Sequence, residues 1–294
     1  MYTKIAFFRH LLTFALLVLS LLFGTAFAEV VSFTSTKSSK LTEAVLTSPS
    51  SAVSKNAPAV VILHHGGGCV HSQTPQYAKA LSSAGYYTLE PCLFYNAQAR
   101  ERSTVVYLPQ VFGALRYLAS LDGVDKNRIA IIGGSYGAAL AFVSATEWAY
   151  KNHADQSLPP FAAHAPFYPG CYIYDRFIKA RKGRSDLPGD AYDKFVGAKV
   201  RIYTGDSDDY DSRDPKACEM MIDLLSPEAK ALVSLKVFVG ATHGWDHPLG
   251  SSFFEPLACK GRGCQNTNES RPDITQQGIV DLIEFLAKAM PSNR

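Results

Sequence analysis

The sequence predicts an α/β fold, with one domain built on a mostly parallel, doubly wound sheet flanked by helices. Three observations carry this. Short apolar runs, such as the one over 57–64, are nearly continuous rather than alternating, as expected of strands buried on both faces. These runs alternate along the chain with longer segments of helical period, the pattern that gives parallel sheets. No internal repeat, low-complexity tract or shift of composition divides the chain.

In chain order, Lys4, Arg9 and His10 form a basic start, an apolar run covers 11–23, and Ala26-Phe27-Ala28 follows as a small-x-small site. That is the pattern of a secretory signal peptide over 1–28, with an apolar core too short to span a bilayer. The single domain is then expected over 29–294, with no stable membrane span after cleavage and a periplasmic or secreted location. The segment 29–56 is polar and rich in Ser and Thr, with one early edge strand near 41–46. A strand over 57–64 ends in His64-His65-Gly66-Gly67-Gly68-Cys69, and a helix over 73–85 stops at a glycine. A short strand at 86–90 and a loop over 91–103 precede an amphipathic helix over 104–121, with Leu108, Val111, Leu115 and Leu118 on one face. A strand at 128–132, a helix over 138–150 and a strand at 161–167 follow. A long polar and aromatic connection covers 172–197. The last elements are a strand at 199–204, a helix at 217–225, a strand at 235–239, a loop over 251–272 and a closing helix over 274–289.

Without its signal the chain carries 27 Lys and Arg against 26 Asp and Glu, so charge offers no reason for a nucleic-acid partner. All six cysteines (Cys69, Cys92, Cys171, Cys218, Cys259, Cys264) lie in the exported part, and an even count there suggests disulfides. Cys69 and Cys92 both follow adjacent strands at one sheet edge and can meet. Cys259 and Cys264 bracket a short Lys-Gly-Arg-Gly loop. No C-x-x-C pair is present, and the His64–His65 pair has no evident third ligand, so neither a metal nor a cofactor is expected.

The chemistry centres on Gly133-Gly134-Ser135-Tyr136-Gly137, a Gly-x-Ser-x-Gly run between a buried strand and a helix. A sharp strand-to-helix turn of this kind holds the serine hydroxyl clear of the sheet as a nucleophile. A serine hydroxyl needs an imidazole to take its proton and a carboxylate to orient that imidazole. These partners are expected later in the chain, in loops after strands at the same edge. His243, in Gly240-Ala241-Thr242-His243-Gly244-Trp245, meets the requirement for the base. Asp206, Asp208 and Asp209 compete for the acid, and spacing does not choose among them. The backbone amides of Tyr136 and Gly67, with Gly66 as the neighbouring alternative, are the expected donors to an oxyanion. Tyr95 and Trp245 are candidate walls of a substrate pocket. The basic run Lys179, Arg181, Lys182 and Arg184 reads as a solvated face or as an anion-attracting flank of the mouth.

These motifs resemble the dienelactone hydrolase family of α/β-hydrolases over most of the chain, from about Pro58 to Ala289. The carriers are the Gly-x-Ser-x-Gly turn, Phe167-Tyr168-Pro169-Gly170-Cys171, the Gly-x-x-Asp-Asp run at 205–209 and the Gly-x-x-His-Gly-aromatic run at 240–245. The resemblance implies an α/β-hydrolase fold, names Asp208 as the acid, and implies pairing of Cys171 with Cys218 as in exported members. Two departures stand out. The founding enzyme type uses a cysteine nucleophile where this chain has Ser135. It also grips its substrate's carboxylate with arginines that would fall near Ala97 and at His247, and neither is arginine here. The expectation is therefore an exported serine hydrolase that cleaves a small-molecule carboxylic ester other than dienelactone through an acyl-enzyme. Its oligomeric state is open. The rival readings are a non-enzymatic ligand-binding module on the same fold and a hydrolase of polysaccharide esters or polyesters.

Overall fold

Alternation of side chains along a strand sends successive residues to opposite faces of a sheet, so a strand apolar at every position must be covered on both sides. Strand β3 (Ala57–Leu63) shows this directly. Ala59, Val61 and Leu63 enter one core with Val111, Phe112 and Leu115 of α2 (Leu108–Ala119) and Phe142 of α3 (Tyr136–Val143). Val60 and Ile62 enter a second core with Tyr77 and Leu81 of α1 (Thr74–Ser83) and Leu282 and Leu286 of α9 (Pro272–Ala289). Strand β5 (Val124–Gly134) divides the same way, with Ile129 and Ile131 on one side and Ala130 and Ile132 on the other.

The computed structural model describes residues 27–50, 55–70, 72–101, 103–180 and 186–292. All of the expected signal segment except Phe27 and Ala28 lies outside the described residues, as do Arg181, Lys182 and Arg184 of the basic run. Among the described residues the main sheet has eight strands in the order β1-β2-β4-β3-β5-β6-β7-β8. β1 (Ala28–Thr34), β2 (Leu41–Thr47) and β4 (Tyr87–Pro91) pair antiparallel. From β4 across β3, β5, β6 (Ala163–Phe167), β7 (Lys199–Gly205) and β8 (Val233–Phe238) every pairing is parallel. The chain leaves β3 toward one edge and returns to β5 on its other side. Ligands of doubly wound sheets bind beyond the strand ends at such a reversal. Register brings these ends together: Leu63 lies beside Gly133, Gly134 beside Phe167 and Gly205 beside Phe238.

Four local expectations are revised. The polar N-terminal segment holds two strands, because β1 is largely exposed and lacks the apolar signal of a buried strand. The helix expected over 138–150 is two, α3 and α4 (Glu147–His153), with the second capped by the Thr146 hydroxyl on the Ala149 amide at 3.1 Å. The connection over 172–197 contains α5 (Cys171–Ala180), whose polar and aromatic composition hides an amphipathic helix. The loop over 251–272 is an antiparallel hairpin, β9 (Ser251–Glu255) and β10 (Cys264–Asn268), around the single turn α8 (Ala258–Gly261). Two other short helices, α6 (Ala217–Asp223) and α7 (Pro227–Lys230), join β7 to β8. The cysteines pair Cys69–Cys92, Cys171–Cys218 and Cys259–Cys264.

Candidate active site

The turn between β5 and α3 is as tight as its sequence implies. Ser135 has φ +51° and ψ −108°, a conformation that costs free energy for a residue with a side chain and persists only when its surroundings impose it. The flanking glycines are imposed by contact. A Cβ at Gly137 would lie 2.7 Å from the carbonyl oxygens of Leu63 and His64, and one at Gly133 would lie 2.6 Å from the Gly137 backbone. The Ser135 amide donates to the Phe167 carbonyl at 3.0 Å, which fixes the turn against β6.

Beyond these strand ends Ser135, His243 and Asp208 form a hydrogen-bonded line. His243 Nε2 is 2.8 Å from Ser135 Oγ, and His243 Nδ1 is 2.9 Å from Asp208 Oδ2. Asp208 is 1% exposed and His243 5%, so water competes little for these contacts. The three neighbouring aspartates have separate partners. Asp208 faces the imidazole and accepts the Tyr210 amide through its other oxygen at 2.8 Å. Asp206 accepts the Gly240 amide at 2.7 Å and ties the β7 loop to the β8 loop. Asp209 binds Arg213 at 2.8 Å and accepts the Thr267 amide of the hairpin at 2.9 Å.

The His243 loop is anchored from below. Asp246, fully buried, accepts the hydroxyls of Tyr168 and Tyr77 at 2.6 and 2.7 Å. Burial raises its carboxyl pKa and the two tyrosine hydrogen bonds oppose that rise. Tyr168 also meets the His243 ring edge to face, with centroids 5.0 Å apart. Burial, reinforced by the charge of Asp208, raises Asp211 to about 6, while its carboxylate caps α5 by accepting the amides of Cys171 and Tyr172 at 3.0 and 2.8 Å. Burial lowers His64 to about 4. Its Nδ1–H donates to the His65 carbonyl at 2.9 Å and its Nε2 accepts the Leu93 amide at 3.1 Å, so both nitrogens are committed to joining two loops. His247 packs on His65 at 4.3 Å between centroids. A cluster of Cys171, Asp211 and Cys218 is close enough to suggest a metal, but its sulfurs are joined in a disulfide and its carboxylate holds two amides.

The Gly67 amide, one of the two expected loop donors, donates to His65 Nδ1 at 2.9 Å. Gly66 abuts the turn at Ser135: a Cβ there would lie 3.7 Å from the Cβ of Tyr136, the first residue of α3. Tyr95 and Trp245 do not line the cavity beside Ser135, contrary to expectation. Tyr95 is 66% exposed and lines a separate groove with His64, Cys69 and Cys92. Trp245 is fully buried against Phe167, Tyr168 and Phe238, because the chain turns inward directly after His243. The cavity beside Ser135, about 380 Å³, is walled instead by α3, α5 and the acid loop, and includes Tyr136, Tyr174, Tyr192 and Tyr210. Arg100, three residues beyond Ala97, sits at its rim. Sequence reading missed the α5 residues because a helix placed alone in a polar connection shows no sign of what it will face.

Comparison with known proteins agrees with this architecture. The family model of the dienelactone hydrolase family matches residues 42–261. No curated protein matches the chain. Among solved structures, the dienelactone hydrolase-like promiscuous phosphotriesterase P91 from metagenomic libraries is 15% identical, with a TM-score of 0.60 over 90% of this chain and 99% of that one. Esterase 2 of Thermogutta terrifontis, phosphoramylated by tabun, is 14% identical, with a TM-score of 0.61 over 92% and 96%. Est1E from Butyrivibrio proteoclasticus is 15% identical, with a TM-score of 0.57 over 90% and 99%. At these identities the likeness is one of fold. With three-quarters of its length matched by the family model and a mostly parallel sheet carrying flanking helices, the chain has the α/β-hydrolase fold and belongs to the dienelactone hydrolase family.

Proposed function

We propose that this protein is an exported serine hydrolase that cleaves a carboxylic ester by way of an acyl-enzyme. The observation that carries the reading is the hydrogen-bonded line from Ser135 through His243 to Asp208, at 2.8 and 2.9 Å, on a strained turn that opens into a cavity. In this reading His243 Nε2 takes the Ser135 proton as Oγ attacks the ester carbonyl, and Asp208 holds the imidazole in place and balances its charge. The oxyanion of the tetrahedral intermediate sits against the backbone amides of Tyr136 and Gly66, each contributing about 3 kcal/mol to the transition state. Collapse expels the alcohol, which receives its proton from His243. Water, deprotonated by the same imidazole, then attacks the acyl-Ser135 carbonyl and releases the carboxylic acid.

Labelling of Ser135 by a fluorophosphonate, together with ester turnover that disappears in Ser135→Ala, is the expected result. Folded protein that neither reacts with the probe nor turns over any ester would overturn the assignment. Export is supported by the signal-like pattern over 1–28 and by three disulfides, a bond type that persists in oxidising compartments. N-terminal sequencing of protein recovered outside the cytoplasm should begin at Glu29.

A further inference from the structure

The cavity beside Ser135 is a slot with an apolar, aromatic side. Its floor and walls are Val143 of α3, Ile173, Tyr174 and Phe177 of α5, and Leu187 and Tyr192 of the following segment. Its charged lining groups, Arg100, Glu101 and Glu255, lie on loops and the hairpin at the mouth, where they stay at least partly in water. The apolar side therefore selects a neutral group. Size sets a second condition. An acetyl methyl, comparable with one water at about 30 Å³, would leave most of the roughly 380 Å³ unfilled.

Ring geometry sets a third condition. Tyr174 meets Tyr192, the other ring of the wall, edge to face at 5.8 Å, and is backed edge to face by Phe142 at 5.1 Å, so the slot presents two rings held roughly at right angles. Such an arrangement favours a further aromatic ring over a flexible chain. The Tyr174 residue is 5% exposed, its hydroxyl is kept protonated by burial, and that hydroxyl has no hydrogen-bond partner among the described residues. Because Tyr174 lines the cavity, a ligand oxygen placed there can accept from this hydroxyl.

We propose that the slot holds an aromatic ring on the larger half of the ester, with the Tyr174 hydroxyl as the contact for a hydroxyl or ether on that ring. This rests on the hydrolase reading above and goes further by naming the substrate class. The specificity-determining residues are Val143, Leu187, Tyr192 and Tyr174.

The test measures kcat/KM for methyl acetate, methyl decanoate, methyl 3-phenylpropanoate, its 4-hydroxyphenyl analogue and benzyl acetate. One or other phenyl ester should exceed both aliphatic esters by about 10-fold or more, the scale on which an apolar pocket discriminates. Leu187→Trp and Val143→Phe, each checked for folding by circular dichroism and melting, should lower the phenyl-to-acetyl ratio by about 10-fold. Ratios near one, or ratios that filling the slot leaves alone, would overturn the aromatic pocket while turnover lost in Ser135→Ala kept the hydrolase reading. In Tyr174→Phe the preference for the 4-hydroxyphenyl ester should vanish; if it persists, the contact assigned to Tyr174 is wrong. If no ester is turned over, calorimetry with 4-phenylbutan-2-one decides. Binding lost in Leu187→Trp would keep the pocket and remove the hydrolase, and no binding would remove both.

Discussion

The Tyr210 ring lies over the His243 imidazole, with centroids 4.1 Å apart and planes inclined by 29°. The tyrosine is held there from two sides. Its amide donates to Asp208, and its hydroxyl pairs with Glu255 at the end of β9. An aromatic face against an imidazole that becomes positive during proton transfer offers cation–π stabilisation of about 0.5–2 kcal/mol. Tyr210→Ala should therefore lower kcat/KM by roughly 2- to 30-fold by that arithmetic. Tyr210→Phe, which keeps the ring, should lose much less. Steady-state kinetics on one ester decides, and equal losses in the two variants would show that the hydroxyl matters instead.

Adjacent aspartates with different partners should fail differently. Asp208→Asn should cut kcat by about 10⁴, since the amide cannot hold the imidazole as the carboxylate does. Asp206→Asn and Asp209→Asn break loop contacts instead and should cost about 1–3 kcal/mol of stability each, with far smaller effects on kcat. Parallel kinetics and urea denaturation of the three variants separate the two kinds of loss.

The disulfides should rank by the length of chain they close. In the loop-entropy picture Cys171–Cys218, separated by 47 residues, contributes about 4 kcal/mol, and Cys259–Cys264, separated by 5, about 2 kcal/mol. Activity should reverse that order relative to stability. The Cys259 and Lys260 amides donate to the carbonyls of Asp209 and Tyr210 at 2.8 and 2.9 Å, so the small clip braces the loop that carries Asp208. Paired Cys→Ser variants, assayed for melting temperature and kcat, test both statements.

Stability should fall as pH drops from about 6.5 toward 4. Burial holds His64, His153, His164 and His247 near 4, below the ordinary 6.5 of an unfolded chain. In that window the unfolded state binds protons that the folded state refuses, so their stabilisation is complete above 6.5 and is lost on acidification. His64 and His164, the most enclosed, set a slope of about 2 kcal/mol per pH unit. Asp211 works in the opposite sense: raised to about 6, it favours the folded state below the unfolded carboxyl range and loses that contribution as pH rises through 6. Urea midpoints at pH 7, 6 and 5 for the wild type and Asp211→Asn should show the acid-side loss in both, steeper in the variant.

Local chemistry was enough to read much of this chain. Apolar runs without alternation, as over 57–64 and 128–132, announced strands covered on both faces, since period and burial are written into consecutive residues. Glycines around Ser135 announced the sharp turn, because only a missing Cβ permits the contacts of Gly133 and Gly137. Order along the chain then placed a histidine and an acidic run beyond later strands. Tertiary structure gave each of three chemically identical aspartates its own partner, with Asp208, the one the family resemblance names, against His243, and turned Trp245 inward and Tyr95 outward. It also made a pocket wall of α5, whose composition resembles a linker. The physical reason is common to all of these: each depends on which strand ends and loops lie side by side, a relation between residues tens of positions or more apart that no local period encodes.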